Sequence, residues 1–89
     1  MAHTLSAKKR IRQNAARRAR NRWRLRRMRI AIKAFQTAVA SGDAGQAGEA
    51  MRAAAKIVDR TAQKGVIHRN QAARRKSRMS ARVKALQAG

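Results

Sequence analysis

Residues 25–46 read LRRMRIAIKAFQTAVASGDAGQ, and the spacing of their apolar members decides the fold. Leu25, Met28, Ile32, Phe35 and Val39 recur at steps of three, four, three and four. That puts them on one face of a helix packed against other helices. The stripe ends at Ser41-Gly42-Asp43. Gly42 can take the left-handed backbone just past a helix end. Asp43 can cap the next helix, with Gln46 three residues on to complete a capping box. Followed toward the N-terminus, the stripe lands on Asn21, Arg18, Asn14 and Ile11, so it dissolves before Leu25.

A second break stands at Gly65, followed by Val66 and Ile67, and the chain contains no proline. Three helices are expected, over about 6–41, 44–63 and 68–87. The second brings Ala47, Ala50, Met51, Ala54, Ile57 and Val58 to the core, and the third Ala72, Met79, Val83 and Leu86. Short connections between long helices make antiparallel neighbours, so the expected fold is all-α, a three-helix bundle. Its long, highly basic first helix should extend beyond the bundle by about 19 residues, which is roughly 28 Å. Eighty-nine residues suit a single domain, 1–89, divided into a basic helical extension over 1–24 and a bundle over 25–89. If fully buried, Ile32 or Met51 truncated to alanine should cost about 2–5 kcal/mol.

Charge follows the same division. Lys and Arg number 24 against 3 Asp and Glu, a formal net charge of +21. Residues 1–35 hold 13 basic and no acidic residues, and residues 66–89 hold 7 basic and again no acid. The middle stretch, 36–65, is near neutral. From Arg17 to Arg29 eight arginines point in nearly every direction around a helix, with no acid before Asp43 to form relieving pairs four residues apart. Lys8, Lys9 and Arg10 sit at a helix N-terminus, where the macrodipole disfavours cations. All three penalties vanish when phosphates surround the helix.

Other function classes lose ground on the same residues. The longest stretch without a charged residue, Ala34 to Gly42, is far short of the roughly 20 apolar residues of a membrane span. No apolar core for a secretory signal follows Met1-Ala2-His3-Thr4-Leu5. Without Cys, thiolate metal sites and disulfides are excluded. Three acids and two histidines, none suggestively spaced, leave little for acid–base chemistry, so neither an enzyme nor a cofactor is expected. A nucleoid-type DNA-binding protein is the alternative, but helix-turn-helix spacing, a β-ribbon arm and a Lys/Ala/Pro tail are all lacking. Charge all round the helix argues against a single groove on an acidic protein partner.

Single-strand binders stack successive bases on several aromatic rings, and this chain has only Trp23 and Phe35. Phe35 belongs to the core stripe. Trp23 lies among arginines, where stacking on a base or ribose and packing on arginine stems are equally open. The expected mode is recognition of folded duplex RNA through phosphates and 2′-hydroxyls. Candidate contacts on the first helix are Lys8, Lys9, Arg10, Arg12, Arg17, Arg18, Arg20, Arg22, Trp23, Arg24 and Arg27. On the third they are His68, Arg69, Asn70, Arg74, Arg75, Lys76 and Arg78. The residues alone favour a local structural role for His68, since such side chains often serve turns.

The segment Ile57-Val58-Asp59-Arg60, then Ala62, Lys64-Gly65-Val66-Ile67-His68, Asn70, Ala72-Ala73-Arg74 and Lys76-Ser77-Arg78-Met79, resembles the C-terminal half of the bacterial ribosomal protein S-twenty family. Ser6-Ala7-Lys8-Lys9-Arg10 resembles its opening motif; Asn21, Met28, Arg29, Ile32 and Lys33 fit its pattern, and Gly42-Asp43 falls at its inter-helix turn. The resemblance implies a structural constituent of the small ribosomal subunit, cytoplasmic and ribosome-bound, that binds 16S rRNA directly and supports assembly. It implies contacts with the 5′ domain and the long penultimate rRNA helix, and with other ribosomal proteins only indirectly. It sets Lys8, Lys9, Arg10, Arg17 and Arg18, and His68, Asn70, Arg74, Lys76 and Arg78, against rRNA. Trp23, Arg26 and Arg27 depart from the pattern, where smaller or less basic residues are expected.

Overall fold

A computed structural model describes residues 4–88. Three helices, α1 (Leu5–Ala40), α2 (Ala44–Gln63) and α3 (Arg69–Ala88), account for nearly all of them. Each boundary lies within a residue of its expected place. α1 starts early because the Thr4 hydroxyl accepts the Ala7 backbone N–H at 3.1 Å, which satisfies one of the orphan donors of the first turn. At α2, one carboxylate oxygen of Asp43 accepts both the Gly45 and Gln46 backbone N–H groups, at 2.9 and 3.1 Å. The expected return bond from the Gln46 side chain does not form, so this is a one-sided cap and not a box.

Both glycine breaks are left-handed, with φ of 78° at Gly42 and 75° at Gly65. After α2 the Gly65 N–H donates to the Ala62 carbonyl and the Val66 N–H to the Thr61 carbonyl, the paired bonds of a Schellman motif. After α1 the Gly42 N–H reaches the Val39 carbonyl, and the Ser41 hydroxyl covers that of Ala38 at 2.6 Å. Opposite stability effects are expected at two glycines of α2 and its cap. Gly65→Ala forces a side chain into left-handed backbone and should destabilise by about 1–2 kcal/mol. Gly48→Ala, whose new methyl meets nothing within 4 Å, should stabilise the helix by about 0.5–1 kcal/mol. Thermal unfolding of both variants checks this; midpoints moving in the same direction would contradict it.

The core comprises Met28 and Phe35 from α1, Ala47, Ala54 and Val58 from α2, Ile67 from the connection, and Ala72, Met79 and Val83 from α3. α2 packs along both neighbours, while α1 and α3 meet only briefly. Fully buried alanines on α2, Ala47 and Ala54, let the outer helices approach it. Every residue expected in the core is in it or packed against it. Ile32 and Met51, however, are only half-buried, so the cavity left by truncating them is partly open to water. Their cost falls below the range stated above; Phe35 and Met28, each 1 % exposed, are the positions that carry it. Thr61 is a buried polar residue the apolar pattern passed over. Its hydroxyl donates to the Ile57 carbonyl at 2.7 Å, which removes the penalty of burying it.

Candidate nucleic-acid interface

The molecule measures 63 × 21 × 15 Å, and its length comes from α1. Every residue from Lys8 to Arg20 is exposed, and burial resumes only at Asn21. This stretch has no tertiary neighbour to order it and no acid in its first turn. Arg17, Arg18, Arg20 and Arg22 step round the helix at about 100° per residue, so the surface is cationic on all sides. Among the described residues the one ion pair joins Lys76 to Asp59, at 2.9 Å. The arginines of α1 therefore have no carboxylate partner.

α2 returns antiparallel to α1 after a three-residue turn, so its C-terminus comes back beside the point where α1 leaves the core. Trp23, Arg24 and Arg27 of α1 there share one groove with Ile57, Arg60 and Thr61 of α2 and its C-cap residue Lys64. α3 begins at the same end, so His68, Arg69 and Asn70 lie near the root of the extension. Two separate stretches of sequence are thus brought to one end of the bundle.

Around α3 the candidates divide. His68 is the N-cap: its carbonyl accepts the Gln71 and Ala72 N–H groups, and its Nδ1 accepts the Asn70 N–H at 3.1 Å. A neutral imidazole in that role carries its proton on Nε2. The local structural role favoured on sequence is the one His68 plays here, with the ring otherwise exposed. Lys76 already engages Asp59. Arg69, Asn70, Arg74 and Arg78 are exposed and Arg75 is half-buried. Gln71, Arg74, Arg75 and Arg78 line a polar groove of about 190 Å³, and Arg75 Nε is buried beside it with no hydrogen-bond partner.

Trp23 remains 60 % exposed, with the Arg27 guanidinium over its ring, 5.5 Å from the centroid. The contact is made by the guanidinium and not by the arginine stem expected as one alternative for Trp23. Arg60 and Lys64 were missed as candidates because α2 is nearly neutral overall. Their spacing of four at a helix end was the available signal. No group of three or more His, Asp or Glu side chains that could hold a metal occurs among the described residues. No helix there is long and apolar enough to cross a membrane.

Residues 2–84 match the family described as Ribosomal protein S20. The small ribosomal subunit protein bS20 of Methylorubrum extorquens is 51 % identical over 88 residues, covering 99 % of this chain and all of the relative. That of Nitrosomonas europaea is 49 % identical over 86 residues, covering 97 % of this chain and 99 % of its own. The protein of the same name from Gluconobacter oxydans is 52 % identical over 86 residues, covering 97 % of each.

Proposed function

The chain belongs to the ribosomal protein S20 family, and from that premise we propose that it is a structural constituent of the small ribosomal subunit which binds folded 16S rRNA directly. It is not an enzyme. The described residues of the expected 1–24 extension act as a cationic arm, and those of the expected 25–89 bundle fix where the arm starts and which way it points. Contacts come from Lys8, Lys9, Arg10, Arg12 and the arginines that follow on α1, and from Arg69, Asn70, Arg74, Arg75 and Arg78 near the start of α3. Lys76 and His68 contribute mainly by holding α3 in place. The observation that carries this reading is the fully exposed, acid-free stretch from Lys8 to Arg20. A helix carrying that much unpaired charge gains most when anionic oxygens surround it. The protein would then be ribosome-bound in the cytoplasm, touching other ribosomal proteins only through the rRNA.

Competition between 16S rRNA and duplex DNA across a salt series tests this. Both complexes should weaken steeply with salt, because binding releases condensed counterions. A specific rRNA complex should survive excess DNA near physiological salt. Equal affinity for the two polymers would instead favour a general DNA-binding protein.

A further inference from the structure

Phosphate contacts along a uniformly cationic helix position it but read no base. The groove at the root of α1 has the features of a device that would read one. It is an open-sided groove of about 210 Å³, many times the roughly 10–15 Å³ that admits one water. Its α1 wall presents Trp23, 60 % exposed and held on one side by Arg27. Its α2 wall presents Arg60 and Lys64, with Ile57 supplying apolar surface between.

We propose that this groove receives one unstacked RNA nucleotide, its base stacked on Trp23 and its phosphate held by Arg60 and Lys64. The proposal rests on the RNA-binding reading above. Splayed bases at bulges and loops stack on aromatic rings and guanidinium planes, and Trp23 with Arg27 offers both. Arg forks and Lys ammonium groups suit phosphate oxygens. No carboxylate lines the groove to oppose an anion; the nearby Asp59 is drawn to Lys76 of α3. Three carbonyls of the last turn of α2, those of Arg60, Thr61 and Ala62, which would repel a phosphate, are covered by the N–H groups of Lys64, Val66 and Gly65. The Thr61 hydroxyl donates its proton to the Ile57 carbonyl and the residue is 3 % exposed, so recognition falls to the ring and the cations that line the groove.

Trp23 is the only tryptophan, so its fluorescence reports on this one side chain, and loss of the effect in the Arg60 and Lys64 variant ties it to the face shared with α2. The full-length protein is titrated with two RNA hairpins identical except at one bulged position, adenosine in one and an abasic ribose in the other. The two carry equal phosphate charge. The adenosine hairpin is expected to quench Trp23 and to bind about 10-fold more tightly. Trp23→Leu and the pair Arg60→Gln with Lys64→Gln should each remove that preference, and Trp23→Phe should keep it. Equal binding of both hairpins by the unaltered protein overturns the nucleotide site while leaving the RNA-binding reading intact. A preference that persists in Trp23→Leu also overturns it. Failure to bind either hairpin or rRNA would bring down both.

Discussion

Replacing Arg17, Arg18 and Arg20 together with alanine should weaken rRNA binding about 100-fold near physiological salt, with the bundle still folded. Ionic contacts from exposed, solvated side chains contribute up to about 1 kcal/mol each, so three together approach about 3 kcal/mol, or about 100-fold at about 1.4 kcal/mol per decade. The slope of log affinity against log salt should flatten by about 2–3, near 0.7–0.9 for each phosphate contact removed. The bundle should be indifferent because all three side chains are exposed and the core begins no earlier than Leu25. Filter binding over a salt series measures the first effect, and far-UV circular dichroism with thermal unfolding measures the second. Cooperative unfolding lost in the triple variant would mean that the arm is part of the core.

The second large effect concerns stability. Phe35→Ala should destabilise the protein by about 3–5 kcal/mol, the cost of a large aromatic removed from a packed site. Phe35 is 1 % exposed and lies on the α1 stripe, in one core cluster with Ala47, Ala54 and Val58 of α2. For a small domain that is most of its stability, so rRNA affinity should fall as well, since binding must then drive folding. Ile30→Ala is the control: Ile30 sits five residues away on the same helix but is 61 % exposed, and its truncation should shift urea unfolding little. Equal effects at the two sites would mean that α1 packs on a different face.

The two experiments divide the first helix into parts with different work. From Lys8 to Arg20 its residues are all exposed, and their value lies in charge. From Leu25 onward its apolar face is matched by α2. Between them, Asn21 to Arg24 form the joint at which the arm leaves the bundle and α2 ends. Trp23 is large and apolar yet mostly exposed, and it stands at this joint beside cations from a second helix. That position, more than its residue type, singles it out.

What could be read from the sequence alone was whatever one helix or one turn decides by itself. The steps of three and four from Leu25 to Val39 are a property of a single helix's geometry, so α1's buried face was legible without knowing its partner. Gly42 and Gly65 mark left-handed turns because only glycine enters that backbone region freely. The acid-free run before Asp43 needed only counting. Tertiary structure alone decided the pairings between helices. Lys76 meets Asp59 across 17 positions, Thr61 turns inward because α2 is covered on two sides, and His68 becomes a cap only once the α2–α3 connection is bent at Gly65. Arg60 and Lys64 come to share a groove with Trp23, some 40 positions earlier, because the short turn at Ser41–Asp43 folds α2 back along α1. Such juxtapositions depend on relative helix placement, which long-range packing sets and local periodicity does not encode.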